Sequence, residues 1–236
     1  MVKVARAALL IIVTLAVSCS QHSPVEPVPT PTPTPIPTIT TTLLLERAAS
    51  QMSGLQSLRF KLTHPEGSTL ILDGLQAHTV HGDVALPDQA DLKVEASALG
   101  FFVNMRLVIS DDKAFMTDPL SNAWYTLSPA ELPFNFLDLG TTLATIAGTM
   151  QNPNLKNNDT SRLYTITGTL NRSNLSLLIP ETNTEAEVLT ELIVDENGFI
   201  REVMLIGPIV SSDTPSITRV IEFSNFNTPV EVTLPK

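Results

Sequence analysis

The chain has one cysteine, one tryptophan and two tyrosines in 236 residues, and aromatic side chains make up only 5% of it. A lone thiol, Cys19, closes no internal disulfide and builds no thiolate zinc site. Charge is sparse as well, at 16% of residues, and it is acidic: 14 Lys and Arg stand against 24 Asp and Glu, a formal net charge of −10. Such a body repels polyanions, which excludes nucleic acid as an electrostatic partner. Motifs for covalent or phosphoryl chemistry are missing too. There is no G-x-S-x-G, no Walker-type loop and no H-E-x-x-H, so the chain reads as a non-enzyme without a cofactor. His78 and His81 form H-x-x-H, yet on a strand they point to opposite faces and cannot share a metal ion.

What the chain does have begins at its N-terminus. Lys3 and Arg6 precede an apolar run from Ala7 to Val17, the length of a secretory h-region and shorter than the roughly 20 residues a membrane span needs. Ala16, Val17 and Ser18 then lead into Cys19. This resembles the lipobox of bacterial lipoproteins, in which the thiol takes a diacylglyceryl group and the leader is cut before it; Ala16 stands where that pattern usually has Leu. The plainer alternative is an ordinary secretory leader with an incidental thiol. Two acyl chains hold a protein on a membrane where one holds it only marginally. Residues 1–18 are thus expected to be a signal peptide, and Cys19 an anchor that places the mature chain outside the cytoplasm on the cell membrane.

Residues 19–40 extend that picture. Pro24, Pro27, Pro29, Pro31, Pro33, Pro35 and Pro37 alternate with Thr, Val and Ile, a composition that favours polyproline II and cannot pack a core. At about 3.1 Å per residue such a tether reaches roughly 65 Å when extended.

From residue 41 to 236 the chain reads as a single domain with both periodicities. Leu45, Ala48, Ala49, Met52 and Leu55 lie on one helical stripe. Immediately afterwards Leu58, Phe60 and Leu62 alternate with Arg59, Lys61 and Thr63, as in a strand wetted on one side. The alternation recurs in Val80 to Leu86, in Leu92 to Ala98 and in Phe101 to Ile109. Short links such as "LPDQ", "SDDK" and "DPLSN" suit hairpins, which makes the sheet an antiparallel meander. Helical spacing returns after Pro133, through Phe136, Leu139, Leu143, Ile146, Ala147 and Met150. Strands resume in "RLYTITGTL", in "VLTELIVDENGFIREVMLIG" with Asn197-Gly198 as a type I′ turn, and in "SITRVIEFSNF". The class is α+β, with the helical segments covering the apolar face of the sheet. Phe60, Met105, Phe134, Phe136, Met150, Met204 and Phe223 can fill a core or line a deformable apolar pocket, and for any one of them taken alone core packing is the favoured reading.

The order of the pieces carries one further reading. A lipobox and Pro/Thr stalk, then "LLERAASQMSGLQSLRFKL", "HGDVALPDQADLKVEA", a single Trp in "SNAWYTL" and a final "IEFSNFNTPVEVTLP" resemble the LppX/LprAFG family of envelope lipoproteins. The resemblance implies a strongly curved, unclosed antiparallel sheet, a half-barrel with helices on its concave face, similar to the LolA/LolB carriers. It also implies binding and transfer of lipid or glycolipid acyl chains between sheet and helices, together with an envelope transport partner whose identity it leaves open. On that basis Met52, Leu55, Phe60, Phe101, Met105, Phe134, Phe136, Leu139, Leu143, Ile146, Met204 and Phe223 are expected to line or gate a lipid cavity. The competing expectation is a filled core that merely presents a surface to an envelope partner.

Overall fold

Thr40 starts the first helix by accepting the Leu43 N–H on its hydroxyl at 3.2 Å, which satisfies one of the donors that a helix N-terminus leaves open. The computed structural model describes residues 39–72, 74–132, 135, 139–156, 162–176, 179 and 187–235. The leader, Cys19, the tether as far as Thr38, and Phe134 and Phe136 lie outside them. Helix α1 (Thr41–Ser53) buries Leu44, Leu45, Ala48 and Met52 and stops at Gly54, whose N–H returns to the Gln51 and Met52 carbonyls. The apolar stripe expected from spacing is the one that is buried.

Twelve strands form one antiparallel sheet: β1 (Ser57–Glu66), β2 (Thr69–Leu72), β3 (Leu75–Ala85), β4 (Gln89–Ala98), β5 (Phe101–Ser110), β6 (Lys113–Thr117), β7 (Trp124–Leu127), β8 (Gln151–Lys156), β9 (Leu163–Asn171), β10 (Glu187–Asp195), β11 (Ile200–Ile206) and β12 (Thr218–Ser224). Their order is β7-β6-β5-β4-β3-β1-β12-β11-β10-β9-β8, with β2 paired to β3 beside that path. Two meanders therefore meet at a central seam, where β1 pairs with β12 and Phe60 lies opposite Phe223. The terminal strands β7 and β8 do not pair with each other, so the sheet stays open. Helix α2 (Leu139–Thr149) packs against α1 on the inner face, closely enough that a Cβ on Gly140 would stand 3.0 Å from the Met52 carbonyl oxygen.

Period-two alternation explains which side is roofed. Leu58, Phe60 and Leu62 of β1, Leu92, Val94 and Ala96 of β4, and Val103, Met105, Leu107 and Ile109 of β5 are all buried in one core with both helices. The outer face carries the charges in cross-strand pairs. Arg59 grips Asp83 with two bonds of 2.8 Å, and Arg106 grips Asp91 through Nε at 2.8 Å and through a second nitrogen at 2.5 Å. Gly82 marks a tight approach of β3 to β4, because a Cβ there would fall 2.1 Å from the Asp91 carbonyl oxygen; no side chain fits where two backbones close in this way.

Three local features differ from expectation. Strand β2 and the start of β3 form a hairpin ending at Gly74 (φ +78) that hydrophobic alternation alone does not reveal. Strand β8 is polar and contains Pro153, which an edge strand tolerates because one side needs no ladder donor. The β10–β11 connection is not a type I′ turn. Gly198 has φ +92 whereas Asn197 is not in the left-handed region, and Asp195 N–H donates to the Phe199 carbonyl at 2.9 Å while Gly198 N–H donates to the Asp195 carbonyl at 3.0 Å. This is a three-residue loop, Glu196 to Gly198, with glycine at the bulge, pinned by Asp195, whose Oδ1 accepts from Asn197 N–H and Phe199 N–H.

Candidate functional site

The inner face leaves a slot between α2 and the centre of the sheet. Leu139, Leu143 and Ile146 of α2 form one wall, Phe60 and Phe223 meet them from the β1–β12 seam, and Val203, Leu205 and Ile221 continue the floor. Leu175 and Ile179, which follow β9, close one end. The unfilled space across the slot, its mouth included, is about 750 Å³, of which about 50 Å³ admits the centre of a water molecule. A water-sized group needs about 10–15 Å³ of the latter measure, so the interior as it stands has room for roughly three to five such groups. It is a narrow apolar cleft under a helix.

A buried polar cluster adjoins this cleft at Arg219, and two strand irregularities build it. Opposite Arg219 on β12, strand β1 inserts His64 and Pro65 between Thr63 and Glu66. On β3 the register also shifts between Ala77 and Thr79, leaving His78 as the extra residue. Bulges re-aim side chains in this way. His64 Nδ1 lies 2.9 Å from the His78 carbonyl oxygen and Nε2 lies 2.7 Å from Thr69 Oγ1. A carbonyl only accepts, so Nδ1 carries a proton, and in the neutral ring Nε2 then accepts from the Thr69 hydroxyl. Thr69 in turn accepts from Arg219 Nε at 3.0 Å. Burial, with the nearby Arg219 charge adding to it, outweighs the opposing bond to the His78 carbonyl and holds the His64 pKa below its ordinary value.

Arg219 is the cation of the cluster. Its Nη2 donates to Asp213 Oδ1 at 2.6 Å, with both side chains almost wholly buried, at 4% and 1% exposed. Burial pushes the Asp213 pKa up, but the Arg219 bond and the Ile209 and Val210 N–H groups outweigh it and hold the carboxyl below the usual range. Asp213 Oδ2 accepts from those two N–H groups at 2.7 and 3.1 Å. Among the described residues, two of the buried polar atoms without a hydrogen-bond partner are Arg219 Nη1 and Oγ1 of Thr142 on α2. Both residues line the slot.

The residues expected from sequence to line a lipid cavity divide by position. Phe60, Leu139, Leu143, Ile146 and Phe223 meet at the slot. Met52, Leu55 and Met105 are buried in the surrounding core and are not among its walls. Phe101 is corrected: it is 70% exposed, at the tip of the β4–β5 hairpin, beside Leu99 at 90% and Phe102 at 88%, because the strand runs past the roofed area before it turns. Met204 is corrected as well. It is only half-buried, since Val203 and Leu205 on either side of it point inward. Phe134 and Phe136 fall outside the described residues. Val203, Leu205, Ile221 and Arg219 were missed, although "TRVIEF" read with period two places Arg219, Ile221 and Phe223 on one face. Leu175 and Ile179 carry no strand or helix periodicity that would have found them. Among the described residues no three of His, Cys, Asp and Glu gather as a metal site, and no helix is long and apolar enough to cross a membrane.

Comparison with known proteins gives the same architecture. The profile of the LppX_LprAFG lipoprotein family matches residues 40–232. The crystal structure of LprF from Mycobacterium bovis aligns with TM-score 0.65 at 16% identity, over 83% of this chain and 96% of that one. The crystal structure of the lipoprotein LppX from Mycobacterium tuberculosis aligns with TM-score 0.56 at 16% identity, over 82% and 98%. A LolA superfamily protein from Nitrosomonas europaea aligns at 11% identity over 84% and 96%, with a TM-score of 0.27, too low to carry a structural argument. No curated protein matches the sequence.

Proposed function

Because the chain belongs to the LppX_LprAFG lipoprotein family, we propose that it is an envelope lipoprotein, anchored outside the cytoplasm through an acylated Cys19, that takes lipid or glycolipid acyl chains into the slot under α2 and passes them on. The observation that carries this reading is the apolar slot itself, walled by Leu139, Leu143 and Ile146 on one side and by Phe60 and Phe223 on the other. No covalent chemistry is needed. A chain entering from water gains about 0.8 kcal/mol per buried methylene, while one entering from a bilayer exchanges one apolar surrounding for another. Loading and release are then close to balanced, which suits a carrier more than a store. Tethering the domain beside the membrane raises the effective concentration of the lipid it meets.

The slot must widen to accept a whole acyl chain. Helix α2 is the movable wall: it rests on α1 and the short 3-10 segment Arg172–Leu175, whereas the floor is fixed by the strand ladders of the seam. The small interior volume also favours a second reading, a filled core whose outer surface meets an envelope partner. Native mass spectrometry separates the two. The chain purified from its own membranes, beside a Cys19→Ala form lacking the anchor, retains non-covalent lipid mass in both forms if acyl chains occupy the slot. Loss of all lipid mass from the Cys19→Ala form, after equal exposure to membranes, selects the filled core.

A further inference from the structure

Arg219 stands in the slot with more donors than partners. Nε is satisfied by Thr69 and Nη2 by Asp213, but Nη1 is buried without a hydrogen bond, as is Oγ1 of Thr142 on the opposite wall. A desolvated guanidinium N–H without an acceptor is a costly arrangement in the empty protein. Both groups lie on residues that line an otherwise apolar slot, so an oxygen arriving with an acyl chain meets two donors whose loss of water has already occurred.

The charge around them narrows the kind of oxygen. Asp213 already neutralises Arg219 at 2.6 Å. Burial holds the His64 pKa below its ordinary 6.5, so at the alkaline pH of the test below it adds no second cation. Among the described residues Arg219 is the one cation that lines the slot. A second carboxylate brought beside Asp213 therefore finds no further cation facing it, and burying an uncompensated anion is expensive. A neutral acceptor meets no such cost. We propose that Arg219 and Thr142 form a recognition point for the carbonyl oxygen of an acyl ester, and that the slot consequently selects esterified acyl chains over free fatty acids. This rests on the acyl-binding reading above and adds to it the chemical class of the ligand and the two residues that select it.

The test uses the full chain carrying Cys19→Ala, which removes any acyl esters of its own anchor. Phosphatidylcholine vesicles are doped with tritiated methyl oleate or tritiated oleate at pH 9, where the free acid is ionised, and label transferred to the protein is counted. The ester is expected to be taken up about tenfold more readily than the acid. Arg219→Lys, which keeps a cation for Asp213 but lacks the guanidinium fork, is expected to reduce that ratio about tenfold, and Thr142→Val, of nearly the same shape, several-fold. Thermal unfolding of each variant checks that it is folded, and a general loss of packing lowers both uptakes without changing their ratio. Uptake of both probes with a ratio that neither variant alters overturns the proposal and leaves the acyl-binding reading standing. Failure of the parent chain to take up either probe overturns both.

Discussion

Leu143 gives the most direct access to the slot, because it is 1% exposed and belongs at once to the core and to the cavity wall. Leu143→Ala removes three carbons, which at about 0.8 kcal/mol each is about 2.4 kcal/mol of lost burial. If the surroundings do not relax, a residual void on the order of 100 Å³ adds up to about 2.4 kcal/mol more at ~24 cal/mol per Å³. The expected cost in the empty protein is therefore about 2.4–4.8 kcal/mol, a fall in melting temperature of about 5–20 °C for a domain of this size. The substitution also widens a slot that is too narrow at rest, so lipid uptake from vesicles should rise, and bound lipid should return part of the cavity cost. Leu143→Phe does the opposite to uptake: it overfills the same space at about 1–3 kcal/mol and should exclude lipid. Both variants destabilise the empty protein, yet they move uptake in opposite directions. Equal lipid retention by the parent, Leu143→Ala and Leu143→Phe would refute the placement of the ligand under α2.

Other consequences are simpler to read. Gly82→Ala sets a Cβ 2.1 Å from the Asp91 carbonyl oxygen and should cost at least about 2 kcal/mol by denaturant unfolding, whereas Gly148→Ala on α2 meets nothing within 4 Å and should gain about 0.5–1 kcal/mol. The His64 pKa lies below its ordinary 6.5 in the fold, chiefly through burial, so the unfolded chain binds the proton first. Stability is then complete above pH 6.5 and falls as the pH drops towards the folded value, and a melting-temperature profile should show that acid-side loss flattened in His64→Gln. Phe102→Ser, at a side chain 88% exposed, should change unfolding free energy by less than about 0.5 kcal/mol. Cys19→Ser should move the protein from the membrane pellet towards the soluble fraction, because neither acyl chain of the anchor then holds it.

Much of the scaffold was legible because its strands are wet on one side. The run Leu58, Phe60, Leu62 fixes which face of β1 is buried, and the same reasoning applied to β4 and β5 gave the inner face there as well. What could not be read has physical causes. Strand β8 is polar and bears Pro153, so it looks like a loop until β9 supplies its ladder. The bulge at His64 and Pro65 interrupts the period at the point where the polar cluster around Arg219 is built. Met204 was assigned inward from its residue type although Val203 and Leu205 have the stronger claim by alternation. Phe101 keeps the phase of its strand but lies beyond the reach of the helices. Arg219 was overlooked for a different reason: a cation in phase with Ile221 and Phe223 reads as an outward residue unless its neighbours Asp213 and Thr69 are known.

The β1–β12 seam ties the order of synthesis to the order of folding. The strand that completes the middle of the sheet ends at Ser224, close to the C-terminus, while its partner begins at Ser57. A nascent chain that has emerged as far as β7 owns one of the two meanders, whose innermost strand, β1, still has one unpaired edge. Pairing so distant in sequence is slow, because a long loop must close before any contact rewards it. On the envelope reading proposed above, the polypeptide can accordingly stay unfolded while it is threaded through an export channel and acquire its architecture only on the far side, once β12 has arrived.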